Sequence, residues 1–187
     1  MKNKKLLGVL VLAFVLLLGG AYVLYDRLSP QAEDNRLPVQ DDTAGQESRV
    51  EAPDFTVYDG EGNKVSLSDY FGKPIVLNFW ASWCGPCQME MPDFHQKYLE
   101  LGDEVQFLMV NATGGRETVD SAKDFIRSNG YTFPVVYDLD GAASMTYGAY
   151  SLPTTYFIDA EGYAVAQAQG AISANLLQQG IDMISKG

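Results

Sequence analysis

Hydrophobic and polar positions divide the chain into three stretches. Residues 6–25 hold no charged side chain and are built mainly of Leu, Val, Gly and Ala, and about 20 such residues are what an α-helix needs to cross a bilayer. Residues 1–25 are therefore expected to form a short Lys-rich stub and a transmembrane helix. Residues 26–50 show no apolar period and are rich in Asp, Glu, Gln, Ser and Pro, the composition of a flexible tether. From 51 to 187 apolar runs switch between the periods of strands and of helices, which predicts one folded unit.

Within that unit, residues 55–58 and Lys64–Ser66 flank Asp59-Gly60-Glu61-Gly62 and read as a hairpin. Ile75–Trp80 is apolar and β-prone except for Asn78, as expected of a central strand covered on both faces, and residues 105–110 (VQFLMV) form a second such strand. Between them Gly85–Leu101 carries a helical pattern, with Met89, Phe94, Tyr98 and Leu101 on or near one face and Pro92 expected to kink it. Residues 119–128 predict an amphipathic helix closed by Asn129-Gly130, followed by a short strand over 133–137 and a short helix around 142–147. Residues 155–158 and Tyr163–Gln169 predict a hairpin around Asp159-Ala160-Glu161-Gly162, and Ser173 caps a last helix running to about Ser185. This order makes an α/β sandwich around a mixed sheet.

The chain has 187 residues, 47% of them apolar and 20% charged, which excludes a disordered chain. Thirteen Lys and Arg against 24 Asp and Glu give a net charge of −11, carried entirely by the folded unit because anchor and tether balance. No nucleic acid partner is expected of such a surface, and anionic headgroups repel it. A single histidine argues against a His-built zinc or haem site. Lys2, Lys4 and Lys5 precede the apolar run, so the positive-inside rule keeps the N-terminus in the cytoplasm and the folded unit outside. Tyr22 and Tyr25 fit an aromatic belt at the far headgroups. The alternative is a cleaved signal peptide followed by secretion, since Gly19, Gly20 and Ala21 are small; an A-x-A-like site is absent and the apolar run is long for an h-region. No cysteine follows the run to carry a lipid. Either route leads to an oxidising extracytoplasmic space.

The chemistry concentrates in Trp83-Cys84-Gly85-Pro86-Cys87, which follows a strand and opens a helix. Cysteines three apart on a first helical turn lie on one side and close into a reducible disulfide. The helix N-terminus stabilises a thiolate at Cys84, making it the attacking nucleophile, and Cys87, one turn deeper, resolves the mixed disulfide. Pro86 fits the first turn without loss of a hydrogen bond, and Gly85 lets a partner backbone approach. A structural disulfide, a metal site and an inert pair of core cysteines are the competing readings. Against them stand the short loop, which gives little entropic stabilisation, the need of two thiolates for further ligands with His95 two helical turns beyond Cys87, and the Gly-Pro between the cysteines.

With Phe79-Trp80-Ala81-Ser82-Trp83-Cys84-Gly85-Pro86-Cys87 as signature, the chain resembles the thioredoxin superfamily over about residues 52–185. Within it, the chain is most similar to the membrane-anchored TlpA/ResA-like thiol-disulfide oxidoreductases. The N-terminal anchor, the hairpin before the first thioredoxin strand, Met91-Pro92 and a central insertion over 130–147 carry that narrower likeness. The resemblance implies a thioredoxin fold with an N-terminal hairpin extension, and no cofactor besides the redox-active Cys84–Cys87 pair. It implies that Pro153, after Leu152, is a cis-proline facing that pair, the alternative being a trans proline on an edge strand. It also implies that an extended substrate segment pairs beside this proline, so that Trp83, Gly85, Pro86, Leu152 and Pro153 contact substrate. Glu90 matches the glutamate that serves such proteins as proton acceptor; taken alone it is a solvated first-turn acid. Asn78 stands where cytoplasmic thioredoxin keeps a buried aspartate, and Gly85-Pro86 replaces the Glu-Pro of ResA itself.

The implied function is reduction of disulfides in extracytoplasmic cysteine-containing proteins, oxidised apocytochrome c among them, with electrons from a membrane carrier of the CcdA or DsbD kind. The same residues would serve an oxidase that introduces disulfides. A copper chaperone of the Sco kind would want a wider cysteine spacing and a distal histidine, and a direct peroxidase would consume peroxide without a partner protein. His95 reads as a helix-surface residue, Asn111-Ala112-Thr113 as a strand end that happens to fit the glycosylation pattern, and Met89, Met91 and Met145 as packing.

Overall fold

The computed structural model describes residues 50–185 and, before them, Gly19 alone. The expected anchor over 1–25, but for Gly19, and all of the 26–50 tether but Val50 lie outside the described residues. Among the described residues no helix is long and apolar enough to cross a membrane.

Eight strands form one mixed sheet in the order β1-β8-β7-β4-β5-β6-β2-β3. They are β1 (Val50–Glu51), β2 (Thr56–Tyr58), β3 (Lys64–Ser66), β4 (Ile75–Trp80), β5 (Gln106–Asn111), β6 (Val135–Tyr137), β7 (Thr154–Ile158) and β8 (Tyr163–Gln169). The helices are α1 (Gly85–Leu101), α2 (Val119–Asn129), α3 (Ala142–Thr146) and α4 (Ala174–Ile184), and a 3-10 turn covers Leu67–Tyr70. Strands β4, β5 and β6 run parallel, each joined to the next by a helix, as parallel pairing requires. β7 returns antiparallel beside β4 and pairs with β8, while the β2–β3 hairpin docks antiparallel on β6. Val50 belongs to the sheet, opposite Ala164, so the fold begins one residue earlier than the composition change places it.

β4 is buried along its whole length and β5 from Phe107 onward, and their two faces feed two cores. Val76 and Trp80 of β4 and Phe107 and Met109 of β5 face α1, α2 and α4, meeting Cys87, Met91, Phe94, Ala122, Leu177 and Ile181. Ile75, Leu77 and Phe79 face the opposite way, onto Phe55, Val57, Leu67, Ala143 and Tyr147. This is the alternation of side chains that a strand imposes. Asn78 lies on the α1 face, among apolar neighbours.

Helix ends follow local chemistry. Thr118 accepts the N–H of Ser121 at the start of α2, and Gly130, in the left-handed conformation at φ 69°, ends it. Ser173 accepts the N–H of Leu176 at the start of α4. Asp138 is buried and accepts the N–H groups of Ala143 and Ser144, fixing α3.

Three expectations change. Met89 is 70% exposed; the buried face of α1 is Cys87, Glu90, Met91 and Phe94, extended by Tyr98 and Leu101. Steps of four and three residues from Cys87 generate that face, and Met89 falls roughly opposite it. Met145 is likewise exposed, so of the three methionines only Met91 is packing. His95 is half-buried, its ring edge-on to Tyr131 and Phe133 and its Nε2 3.1 Å from the Thr132 hydroxyl. Asn111, by contrast, ends β5 as expected and is fully buried, donating to Glu117 and accepting from the Thr113 hydroxyl, which leaves no amide for a glycan.

Gly180 lies in α4 against the ring of Phe157, where an added Cβ would overlap the ring atoms. Gly180→Ala is expected to cost about 1–3 kcal/mol by overpacking, read as a lower urea midpoint with an unchanged slope. An unchanged midpoint would show that the Phe157 ring yields freely.

Candidate active site

β4, in the middle of the sheet, ends at Trp80, and residues 81–84 carry the chain into α1. The N–H of Cys84 donates to Ala81 O at 3.1 Å, closing a turn that presents Trp83 outward, 46% exposed. Cys84 is the N-cap of α1, with φ −81° and ψ 107°, and its Sγ accepts the N–H of Cys87 at 3.2 Å. The two cysteines form a disulfide with Cα atoms 5.3 Å apart. Cys84 keeps 3% exposure and Cys87 none, so of the two residues only Cys84 reaches the surface. The free N–H groups of this first turn and the helix dipole favour negative charge at Cys84 once the bond opens. Gly85 and Pro86 are exposed, and a Cβ at Gly85 would find no other atom of the chain within 4 Å. A partner backbone therefore has room beside the disulfide.

The Leu152–Pro153 peptide bond is cis, so the trans edge-strand alternative does not hold. Thr154, next in the chain, pairs with Phe79 of β4, which sets the cis bond at the end of the sheet from which Cys84 emerges. Pro153 is buried, and its carbonyl is taken by the N–H of Gly170 at 2.8 Å. Leu152 is half-buried and packs on both cores. Of the residues expected to touch substrate, Trp83, Gly85 and Pro86 are thus open and Leu152 is partly so, while Pro153 is covered.

Glu90, one turn along α1 from Cys87, is 2% exposed. The solvated first-turn reading therefore fails. Its Oε1 accepts from Asn78 Nδ2 at 2.9 Å and its Oε2 from the backbone N–H of Ile172 at 2.9 Å. Burial pushes the carboxyl up to about 7, against the two hydrogen bonds that favour the ion; Asp93 adds a small upward push. Asn78 also donates to the Thr155 hydroxyl at 3.0 Å, while its Oδ1 has no partner among the described residues. Asn78, Glu90, Thr155 and Ile172 thus form one polar group behind the disulfide, joining β4, α1, β7 and the segment before α4.

Sequence reasoning missed Glu117 and Arg116. Glu117, 2% exposed, accepts both the N–H and the hydroxyl of Ser82, at 3.0 and 2.8 Å, and the Asn111 amide at 2.9 Å. The Arg116 guanidinium lies 3.8 Å from the centroid of the Trp83 ring. Their segment has no apolar period, and the one available signal was an acid among glycines directly after a core strand. Among the described residues no three His, Cys, Asp or Glu side chains gather as a metal site would require.

A four-stranded βαβ and ββα core, a cysteine pair at a helix N-terminus and a facing cis-proline loop define the thioredoxin-fold thiol-disulfide oxidoreductases. The chain belongs to the AhpC/TSA family, whose model matches residues 49–166. It is 34% identical over 189 aligned positions to the thiol-disulfide oxidoreductase ResA of Bacillus cereus (strain ATCC 10987 / NRS 248), covering 98% of each protein. ResA of Bacillus subtilis (strain 168) is 34% identical over 148 positions, covering 77% of this chain and 81% of that one. The crystal structure of StoA from Bacillus subtilis superimposes with a TM-score of 0.61 at 29% identity, covering 69% of this chain and 96% of StoA. The chain is a protein thiol-disulfide oxidoreductase.

Proposed function

We propose that this oxidoreductase is tethered to a bacterial cell membrane with its catalytic unit outside the cell's cytoplasm, and that it reduces disulfides in exported proteins. Support for the chemistry comes from one observation above the rest: the sulfur of Cys84, the less covered of the two cysteines, caps a helix, and a buried carboxylate with a raised pKa lies one turn behind its partner Cys87.

In this reading the Cys84 thiolate attacks one sulfur of a substrate disulfide. A bond forms between Cys84 and that sulfur, the substrate S–S bond breaks, and the second substrate sulfur leaves as a thiolate that takes up a proton. Cys87, its proton passed to the Glu90 carboxylate, attacks Cys84, releasing the first substrate sulfur as a thiol and restoring the Cys84–Cys87 disulfide. Two electrons have then moved from the enzyme to the substrate, and no cofactor beyond the cysteine pair takes part. Trp83, Gly85, Pro86 and Leu152 line the approach of an extended substrate segment, which pairs beside the cis bond before the covered Pro153. Oxidised apocytochrome c and similar exported proteins fit this role, and a membrane dithiol carrier of the CcdA or DsbD kind would return the enzyme to the dithiol. The uncharged run over 6–25 behind three lysines supports the tether.

The direction is tested by the reduction potential of the Cys84–Cys87 pair in the full chain, equilibrated in thiol buffers and read by alkylation mass shift. A value near or below about −230 mV is expected, and one near about −120 mV would make the protein a disulfide donor. A pair that cannot be cycled would leave only a structural disulfide.

A further inference from the structure

The segment joining β5 to α2 holds a buried carboxylate and an exposed guanidinium on consecutive residues, and both reach the same neighbouring loop. A buried carboxylate is costly unless donors surround it. Among the described residues neither Arg116 nor Glu117 enters an ion pair, so what compensates Glu117 is three hydrogen bonds, two of them from Ser82. An apolar side chain would fill the space without that cost. The carboxylate is distinguished by what it grips: both donors of the residue two before Cys84. Arg116, next to it, covers the Trp83 ring at 3.8 Å, the contact geometry of a cation–π pair. From the other side Gln88 of α1 donates to Ser82 O at 2.6 Å, and the N–H of Ala112 donates to Trp80 O at 2.9 Å. The loop that delivers Cys84 is thus held at each residue from Trp80 to Trp83, with Ala81 taking the Cys84 N–H.

We propose that Arg116 and Glu117 are positioning residues for thiol exchange: they clasp residues 82–83, fixing Cys84 at the head of α1 and the Trp83 ring beside it for the incoming disulfide. The proposal rests on Cys84 being the attacking sulfur. Exchange requires three sulfurs near a line, and small displacements of the attacking one are costly in rate. A free loop would let Cys84 leave its N-cap position, losing both alignment and the stabilisation of its thiolate. A planar guanidinium suits a stacked ring in a way that an ammonium does not, so Arg116 is the member for which lysine is no substitute.

The test uses the full chain as the dithiol, with oxidised insulin as the probe. Glu117→Ala is expected to slow insulin reduction by about tenfold or more. Glu117→Gln should restore the rate to within about twofold, because its Oε1 accepts from Ser82 N–H and Asn111 while its amide donates to the Ser82 hydroxyl. Arg116→Ala should slow the reaction by about threefold and lower the fluorescence anisotropy of Trp83, with Arg116→Lys recovering little of either. Trp80, the other tryptophan, is fully buried and far less responsive. Wild-type rates in Glu117→Ala and Arg116→Ala would overturn the clasp while leaving the oxidoreductase reading intact; a Glu117→Gln chain as slow as Glu117→Ala would overturn it in favour of a role for the charge. Should Glu117→Ala fail to fold, Arg116→Ala alone decides, an unchanged rate and anisotropy overturning the proposal. A wild-type dithiol that reduces neither insulin nor any other disulfide offered to it would overturn both readings.

Discussion

Replacing Cys84 by serine is expected to bring thiol-disulfide exchange down to the uncatalysed rate. A serine hydroxyl at a helix N-terminus stays protonated at neutral pH, so the favourable field there finds no anion to stabilise. Cys87 cannot take over, because it is wholly covered by the fold while Cys84 keeps a small exposure. Cys87→Ser has a different expected outcome. The first attack still occurs, the second cannot, and a covalent mixed disulfide with the substrate accumulates. Mass spectrometry under non-reducing conditions reads that adduct directly, and it should be absent from the Cys84→Ser chain. A loss of only tenfold in Cys84→Ser, or adduct formation through Cys87, would assign the nucleophile to the wrong sulfur.

The second large effect is a pH dependence carried by Glu90. Its carboxyl titrates near 7 in the folded chain against an ordinary value of 4.5, chiefly through burial. Between those two values the folded state holds a proton that the unfolded state has released, so folding stability falls as pH rises from about 4.5 to about 7 and is level on either side. The span corresponds to a stability change on the order of 3 kcal/mol. Glu90→Gln removes this slope. The neutral amide can still accept the Ile172 N–H, and rotation of Asn78 would offer it the Oδ1 that lacks a partner among the described residues. Urea unfolding of the oxidised chain from pH 4.5 to 8 is the measurement, taken as the difference between wild type and variant so that other carboxylates cancel. Parallel curves would show that Glu90 titrates as an ordinary surface acid. The same protonation should govern the rate of the resolving step, whose pH profile is expected to have a midpoint near 7 in the wild type and to lose it in the variant.

How far the sequence could be read depended on whether a residue's partners lie on its own element. Ile75–Trp80 and Gly85–Leu101 were legible to the residue, because an unbroken apolar run between turn signals and a cysteine-proline helix start leave little freedom. Other boundaries moved by small amounts with identifiable causes. β5 starts at Gln106 because the N–H of Val105 is still bound to Leu101 O at the end of α1. β6 starts at Val135 because Pro134 has no N–H to give the ladder, although its carbonyl does accept from Met109. The cysteine pair was legible from spacing alone. Glu90 was legible as a position, but its burial depends on Asn78 and Ile172, 12 and 82 residues away in the chain. Glu117 was not legible, since its meaning lies in Ser82, 35 residues earlier. Met89 misled for the opposite reason: an apolar side chain near the motif invites a place in the core, and helix geometry turns it outward.

The residues that open the fold also settle how the sheet meets other chains. β1 lies along one flank beside β8, and the β2–β3 hairpin lies along the other beside β6, so a single N-terminal segment borders both sides of the parallel core. The borders themselves are poor templates: two residues with Glu51 on one flank, three with Lys64 on the other. An enzyme that must greet extended, cysteine-bearing segments would be fouled by long open edges, where any such segment could add as a strand. Short, charged borders discourage stray strand addition, and a substrate segment docking beside the cis bond at Pro153, as proposed above, would bring its cysteine to Cys84, the less covered of the pair.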